Sequence, residues 1–568
     1  MADRPIGAAV TVLAGGASAE TSERHGGPPY YWLVEIDAPE PGRWSATMAR
    51  DPACGVSVLA SQAGRIANAP LAKPPAPRSA IWTTRRAWSP SIENLFSAWI
   101  ANLFDAPLDA QPSFSALHEV LRDRSRNFLF GHLGAEEDEQ GIVIKPDCAD
   151  LPYFLRAYFS FKLGLPFGWS HCSRGGNGLP PHCGDFATNE IPFPTINDKL
   201  PATPVWADPN REQSGAWENN VKRVGEFFRT TLADAAQSGA GRTPADEDDS
   251  DFYPIALSTD TLRPGTIFGD PYGHVLVVVS RIPQTDKRAG VLLAVDGQPD
   301  GTVARKRFWR GNFLFAIDPS LGSAGFKRFR SVVRDRRSGR LVRPKNADLS
   351  DYSSTDQYAD GVEGFYDKMD AILSPERLDP MQALLESITA LEEQVETRVV
   401  SVDNGRRFLT TGRPPADMPD GEKIFEALGD WEDFSTPSRD LRLLIAIDVA
   451  RSLPSRIARQ PNRYALGGQD LDRVQRALEG RLESELRSRT FTYTRSNGLP
   501  WRLSLEDVVE RELSLEVAYD PNDCVEARWG APSGSDEAST CGAHAPAEQV
   551  AKMQEYREWF HDRRRPPR

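Results

Sequence analysis

The spacing of apolar and polar residues predicts a β-rich beginning, a mixed middle and a helical end. Near the N-terminus, residues 8–14 are apolar or β-branched, and residues 30–36 alternate in the manner of a strand. A Pro-Glu-Pro-Gly turn at 39–42 precedes another strand-like run at 44–48. These patterns predict a small β-sandwich-like domain over residues 1–67.

A proline-rich segment at residues 68–80 breaks all periodicity, so we interpret it as an extended linker and a domain boundary. A helix is then predicted from the Ser89-Pro90 pair, a favourable N-cap followed by a first-turn proline. The apolar positions with helix spacing in this segment are Ile92, Leu95, Phe96, Trp99 and Leu103.

The second half of the middle block is strand-like. Short apolar runs bounded by turns occupy residues 275–279, 291–295 and 313–317, which suits strands buried on both faces. Together with the preceding helices, these runs predict an α+β domain over residues 81–320.

The last part of the chain is predicted to be mainly helical. Residues 321–360 are basic and then rich in Ser and Asp, so we interpret them as a second linker. A hairpin is expected around Ser496-Asn-Gly498. Apolar faces with helix spacing lie at 381–395, 471–486 and 550–560. We therefore expect a helical domain with one β-hairpin over residues 361–568.

Composition narrows the function classes. The chain has 568 residues, enough for roughly three to four domains at ~150 residues each. Its net charge of −13 argues against a protein that coats nucleic acid or anionic lipid. No run approaches the ~20 apolar residues needed to span a bilayer. Residues 6–19 resemble a leader peptide, but a first β-strand is the favoured interpretation of this Gly- and Ala-rich run.

Two close pairs stand out among the cysteines, which lie at positions 54, 148, 172, 183, 524 and 541. The pairs 172/183 and 524/541 each lie in a Gly- and Pro-containing loop, which is typical of short-loop disulfides. Because disulfides persist in oxidising compartments, we expect a periplasmic or extracellular protein, with the cytoplasm as the alternative.

A metal site is the competing interpretation of the first pair. His171-Cys172 and His182-Cys183 repeat a His-Cys dipeptide, and four such side chains are suitable zinc ligands. Adjacent residues rarely reach one metal together, so a disulfide or two buried thiols are favoured. The acidic run at 246–251 lacks the Gly and the terminal Glu of a calcium loop. We expect no metal and no cofactor.

Cys148 stands at the predicted start of a helix. Residues 151–159 carry apolar side chains at helix spacing, and the pattern ends at Gly164-Leu-Pro166. At a helix N-terminus the dipole favours a thiolate, and unpaired amides there can bind an oxyanion. A lone cysteine is more often a small buried residue than a nucleophile, so this interpretation depends on a partner base.

His274 is the candidate base. It immediately precedes the predicted strand at 275–279 and follows a Tyr-Gly turn, which we expect to expose the imidazole beside a sheet. The next predicted strand ends at Asp296-Gly-Gln298. On adjacent antiparallel strands, Asp296 would reach His274 and fix its tautomer, while the other ring nitrogen faces Cys148.

These motifs resemble the NlpC-type cell-wall peptidases, a branch of the papain-like thiol hydrolases. The resemblance covers about residues 148–300 and rests on Asp-Cys-Ala-Asp at the helix start, Gly-Leu-Pro at its end, and Arg-Pro-Gly-Thr-Ile-Phe before Gly-His-Val-Leu-Val-Val-Val. It implies Cys148 as nucleophile, His274 as base, and Asp296 or Gln298 as the orienting residue. The chain departs from the family in its long Cys-to-His separation, 274 − 148 = 126 residues, and in Thr266 where the family usually has Asp.

The resemblance implies a papain-like α+β core that hydrolyses amide bonds in bacterial cell-wall peptide (peptidoglycan) or protein through a thioester. A transglutaminase-like acyl transferase is the first alternative, since its residues follow the same order of Cys, His and Asp. The second alternative is an inactive papain-like module that acts as a scaffold or binding protein. No nucleic-acid partner is expected.

Overall fold

Two structural units make up the part of the chain that the computed structural model describes, namely residues 1, 7–22, 27–36, 39–50, 58–66, 80–134, 137–139, 143–190, 222–286, 288–298, 300–425 and 429–566. The first unit comprises Met1–Pro283, Gly290–Phe308 and Phe315–Leu373. The second comprises Gln284–Ala289, Trp309–Leu314 and Ser374–Arg568. Helices account for 38% and strands for 19%, which confirms the α+β class.

The N-terminal segment forms one antiparallel sheet with the order β2-β1-β3-β4. Its strands are β1 (Ala8–Ala14), β2 (Ala17–Ser22), β3 (Gly42–Arg50) and β4 (Val58–Ile66). The expected second layer of a sandwich is absent from the described residues. The strand expected at 30–36 is reduced to isolated bridges at Tyr30 and Tyr31. Nearly all of the predicted linker at 68–80 lies outside the described residues.

Helices of the first unit flank a larger sheet. They are α1 (Pro90–Leu103), α2 (Leu117–Arg122), α3 (Asp150–Leu163), a π-helical turn (Phe227–Leu232), α4 (Ala233–Ala235) and α5 (Gly361–Leu373). The predicted start of α1 is confirmed, since the Ser89 side chain accepts a hydrogen bond from the Ile92 N–H and Pro90 is the first helical residue.

The larger sheet has seven strands in the order β5-β12-β11-β10-β9-β13-β8, and every neighbouring pair is antiparallel. Two further pairs, β6–β7 and β14–β15, stand apart from it. The strands are β5 (Ser113–Phe114), β6 (Gly168–Cys172), β7 (Cys183–Thr188), β8 (Phe252–Pro254), β9 (Ile267–Gly269), β10 (Val275–Ile282), β11 (Val291–Gly297), β12 (Val303–Arg307), β13 (Gly325–Phe329), β14 (Val333–Arg334) and β15 (Leu341–Val342).

The structure differs from the sequence prediction at residues 313–317, which fall partly in each unit, and at residues 321–360. Residues 313–317 are not a strand; instead the Phe315 ring stacks on Phe365 with centroids 3.9 Å apart. The segment expected to be a linker at 321–360 contributes β13 to the sheet. Lys327 in β13 is buried, and its Nζ donates a 2.8 Å hydrogen bond to the Thr243 carbonyl. This bond allows a basic residue to occupy a buried strand position.

α3 lies buried along its whole length and packs on β10 and β11. Arg156 ties it to α1, since its guanidinium stacks 3.4 Å from the Trp88 ring and donates to the Glu93 carboxylate at 2.9 Å. At the far end, the Lys162 ammonium donates to Asp138 at 2.7 Å. The helix ends, as predicted, at Gly164, whose φ of +64° is a left-handed conformation that glycine adopts without strain. These contacts fix the position of Cys148 at the other end.

The second unit is mainly helical, and the three helices and the hairpin expected there are confirmed. Its elements are α6 (Pro380–Leu409), α7 (Asp430–Phe434), α8 (Pro437–Arg459), α9 (Leu471–Ser488), β16 (Thr490–Thr494), β17 (Pro500–Ser504), α10 (Leu505–Glu510), α11 (Glu512–Leu515), α12 (Val525–Arg528) and α13 (Ala547–His561). Arg398 of α6 and Asp440 of α8 form a fully buried bidentate ion pair with two 2.9 Å hydrogen bonds. None of the helices in the described ranges has the length and apolar character needed to cross a lipid bilayer.

Candidate active site

Cys148 lies in the first turn leading into α3. The Asp147 carboxylate accepts hydrogen bonds from the Ala149 N–H at 2.8 Å and the Asp150 N–H at 2.9 Å, and the Asp147 carbonyl accepts from Leu151 at 3.0 Å. Asp147 therefore acts as the N-cap, and the predicted helix start is confirmed. These bonds use three amides of the turn. An oxyanion at Cys148 would have to be bound by the Cys148 N–H together with a donor from elsewhere.

The end of β11 approaches this turn very closely at Gly297. A Cβ atom added to Gly297 would lie 2.4 Å from the Asp147 carbonyl oxygen and 3.0 Å from that of Pro146. Only glycine permits this approach without a backbone shift. The contact holds the last residues of β11, including Asp296, against the start of α3.

Replacing Gly297 with alanine is expected to cost about 1–3 kcal/mol of stability, because the new methyl group meets backbone oxygen that cannot rotate away. Thermal unfolding followed by circular dichroism measures the effect. Gly480→Ala in α9 is the control, since a Cβ there meets no atom within 4 Å and alanine favours the helix. Equal unfolding temperatures for Gly297→Ala and the unmodified chain would contradict this account of the approach.

The Cys148 thiol meets the loop between β9 and β10. That loop is closed by a 2.8 Å hydrogen bond from the Asp270 N–H to the His274 carbonyl. Cys148 Sγ lies 3.7 Å from the carbonyl oxygen of Gly273, and the Val275 N–H is directed at the sulfur. The thiol therefore contacts the backbone on both sides of His274.

His274 and Asp296 lie on neighbouring antiparallel strands, as predicted. Leu276 of β10 is opposite Asp296 of β11, so His274, two residues earlier, lies on the same face as Asp296. His274 Nδ1 is 4.0 Å from Asp296 Oδ1. Gln298 Nε2 donates a 2.7 Å hydrogen bond to Asp296 Oδ2. Asp296 is thus the carboxylate near the imidazole, and Gln298 holds Asp296.

The solvent exposure of the three candidate catalytic residues differs in a way that suits catalysis. The His274 side chain is 30% exposed, whereas that of Asp296 is 6% exposed. Cys148 is partly exposed. The imidazole is therefore open to solvent, while the orienting carboxylate stays covered.

The electrostatic environment of Cys148 differs from the sequence prediction. Burial raises the pKa of the Cys148 thiol well above its usual range, and the carboxylates of Asp296, Asp147 and Asp270 raise it further. Only the Val275 N–H acts in the opposite direction among the main influences. This burial and these carboxylates favour the protonated thiol, although Cys148 lies at a helix N-terminus.

Sequence reasoning assigned no role to three acidic residues that shape the site. Asp147 caps α3, Asp270 is buried in the turn before His274, and Asp150 is buried three residues after Asp147. Burial, followed by the Asp147 carboxylate, raises the pKa of Asp150 to about 8. The Asp-x-x-Asp spacing was a visible capping signal, whereas the burial of Asp270 is a tertiary effect with no local signature.

Both predicted cysteine pairs are at disulfide distance, Cys172 with Cys183 and Cys524 with Cys541. The zinc alternative at the first pair is not supported, since the described residues place no group of three ligand atoms around Cys172 and Cys183. Cys54 lies outside the described residues.

The chain was compared with known families, sequences and structures. No protein-family model, curated protein or solved structure matches it.

Proposed function

We propose that the first unit is a cysteine-dependent hydrolase of amide bonds, with Cys148 as nucleophile, His274 as general base and Asp296 as the orienting residue held by Gln298. The observation that carries the proposal is the contact of the Cys148 thiol with the backbone on both sides of His274, whose Nδ1 is 4.0 Å from Asp296. Nucleophile, base and orienting carboxylate are the three roles that thiol catalysis requires.

In the proposed reaction, His274 takes the Cys148 proton as the sulfur attacks the amide carbonyl carbon. The tetrahedral intermediate collapses when the protonated imidazole gives that proton to the leaving nitrogen, which releases the amine and leaves a thioester. Water then gives one proton to His274 and adds to the thioester. The resulting tetrahedral intermediate collapses as His274 returns the proton to the sulfur, which releases the carboxylic acid and restores the Cys148 thiol.

The resemblance in the motifs supports a papain-like core and bacterial cell-wall peptide as the substrate class. A cysteine in the first turn before a buried helix, a histidine before one strand and a carboxylate at the end of the antiparallel neighbour follow that family's order. The two cysteine pairs at disulfide distance support an oxidising compartment, the periplasm or the exterior, where such a substrate is found.

The raised pKa of Cys148 favours a second candidate, a non-catalytic scaffold. In a scaffold, the thiol stays protonated and unreactive. In the hydrolase, the proton leaves the sulfur only when His274 removes it during attack, so the resting enzyme holds a thiol rather than a thiolate.

Asp296→Asn is expected to change the reactivity of the Cys148 thiol and the rate of hydrolysis in opposite directions. Removing a negative charge beside the sulfur lowers the pKa of Cys148, so iodoacetamide should label Cys148 faster at pH 8 in the variant than in the unmodified chain. Hydrolysis should slow in the same variant, because the imidazole loses its orienting carboxylate. Peptide mass mapping follows the labelling of Cys148 alone. Slower labelling in the variant would refute this electrostatic account.

The decisive test is to trap the acyl-enzyme. The full chain is incubated with a panel of cell-wall and unrelated peptides, quenched in acid, and searched by mass spectrometry for an acyl group on Cys148. Hydroxylamine should release that group as a hydroxamate, and new amines should appear in solution. If every peptide leaves Cys148 unmodified and no amine is released, the result contradicts the hydrolase proposal and favours the non-catalytic scaffold.

A further inference from the structure

A group of metal-ligating side chains lies in the second unit, outside the candidate active site. Cys524 and Cys541 form the disulfide there, and the ligand atoms of Cys524, Cys541 and Glu526 all lie within 4.8 Å of one another. It is the one such group in the described parts of the chain. His544 Nδ1 is 3.9 Å from Cys541 Sγ.

We propose that this group is a redox-gated zinc site. When the Cys524–Cys541 disulfide is reduced, the two sulfurs and the Glu526 carboxylate bind one Zn²⁺, and His544 supplies the fourth ligand. Two thiolates, a carboxylate and an imidazole are all ligands that zinc takes in tetrahedral sites. In the oxidised state the sulfurs bind each other and the metal has no site.

Hydrogen bonds fix the orientation of the Glu526 carboxylate, as they do for carboxylate ligands in metal sites. Glu526 is fully buried, and its carboxylate accepts hydrogen bonds from the Ser496 N–H at 2.8 Å, the Ser496 hydroxyl at 2.6 Å and the Thr540 hydroxyl. The Glu526 N–H also donates to this carboxylate, so a metal would take the place of one of these four donors. Such hydrogen bonds orient ligands in metal sites.

The charge of Glu526 also favours a cation. No Lys or Arg in the described residues forms an ion pair with this carboxylate, so hydrogen bonds alone hold its charge. A bound dication would neutralise it together with the two thiolates. Electrostatics therefore favours a metal over two neutral thiols when the disulfide is open.

The two sulfurs differ in how far they can move. Cys524 is fully buried, and its Sγ accepts a hydrogen bond from the Ala527 N–H at 3.3 Å. Cys541 is only partly buried and follows the short 3₁₀ turn Ala538–Thr540, and His544 is exposed three residues later. With Zn–S bonds of about 2.3 Å, the sulfurs of a tetrahedral site lie roughly 3.8 Å apart. The Cys541–His544 segment would supply that movement.

The redox step needs a reductant, either a cellular dithiol or the phosphine used in the test. Two electrons break the S–S bond and two protons are taken up, giving two thiols. A dithiol is oxidised to its disulfide, whereas a phosphine takes an oxygen atom from water and becomes the phosphine oxide. Zn²⁺ then displaces the two thiol protons as the Zn–S bonds form.

Co²⁺ is the probe, because tetrahedral Co²⁺–thiolate sites absorb in the near ultraviolet and the visible. The metal-free full chain, reduced with a phosphine, should bind one equivalent of Co²⁺ with a sulfur-to-cobalt charge-transfer band, and Zn²⁺ should abolish that band. The oxidised chain should show no band. Glu526→Gln and His544→Ala, which keep both cysteines, should each weaken binding at least about tenfold.

Paired variants assign the signal. Cys524→Ser with Cys541→Ser should abolish the band, whereas Cys172→Ser with Cys183→Ser should retain it. The second pair is the matched control, since it is also a disulfide with histidine neighbours in sequence but without a third ligand close by. The proposal is overturned if the reduced chain shows no band, if the oxidised chain shows the same band, if Cys524→Ser with Cys541→Ser keeps it, or if Glu526→Gln binds Co²⁺ as tightly as the unmodified chain.

Discussion

Cys148→Ala is expected to lower the rate of amide hydrolysis by a factor on the order of 10⁴ to 10⁶, the loss seen when a catalytic nucleophile is removed. The effect is this large because a thioester needs a thiol, and Cys148 is the only free cysteine among the described residues. Release of amine from a substrate identified by acyl-enzyme trapping measures it. Cys148→Ser should also be inactive, since a hydroxyl in a site that already raises the thiol pKa ionises even less readily.

The matched control is Ser280→Ala, at the bulge in β10 beyond the catalytic end of the strand. It should keep full activity, and the unfolding temperature of Cys148→Ala should stay near that of the unmodified chain. Activity in Cys148→Ala within about tenfold of the unmodified chain would remove Cys148 from the mechanism, since a nucleophile contributes far more than that.

Arg398→Ala is expected to destabilise the second unit by about 3–5 kcal/mol, because it leaves the Asp440 carboxylate buried without its partner. Both side chains of the pair are fully buried, and the Arg398 guanidinium also lies 4.6 Å from the centre of the Trp529 ring. Urea unfolding followed by tryptophan fluorescence measures the free energy lost.

Arg413→Ala is the control for that experiment. Arg413 and Asp430 form an ion pair in the same unit, with Arg413 Nη2 donating to both carboxylate oxygens, but the Arg413 side chain is 51% exposed, so its removal should cost about 1 kcal/mol or less. Replacing Arg398 and Asp440 together by Met and Leu should recover much of the stability, since neither charge of the pair is then left without the other. Equal losses in Arg398→Ala and Arg413→Ala would contradict the role of burial.

The arrangement of the candidate site was largely predictable from the chain. Apolar runs bounded by turns located β10 and β11, and helix spacing located α3. The order of these elements then brought His274 near Asp296 and placed Cys148 in a first helical turn. The raised pKa of the thiol was not predictable, because it arises from burial and from Asp270, whose position depends on how the turn before His274 folds onto the sheet.

The fold was predicted wrongly where a strand has the composition of a linker and where a loop has the composition of a strand. β13 contains Lys327 and Arg328, so its composition resembles a basic linker. The structure tolerates both charges because the Thr243 carbonyl accepts from Lys327 and the Asp351 carboxylate pairs with Arg328 at 2.7 Å. Residues 313–317 have strand composition, but the Phe315 N–H donates to the Tyr366 hydroxyl instead of to a neighbouring strand. Partners distant in sequence decided both cases.

The division of the second unit into three pieces of chain affects how it can form during synthesis. Gln284–Ala289 and Trp309–Leu314 belong to it, yet Ser374, where its main segment begins, follows Leu314 by 374 − 314 = 60 residues. At roughly 5–20 residues per second, the ribosome needs several seconds to produce that interval. The early pieces must therefore wait for most of their own unit to be translated. A fragment that begins at Ser374 would lack both short pieces, so a single cut at that point does not release the whole unit.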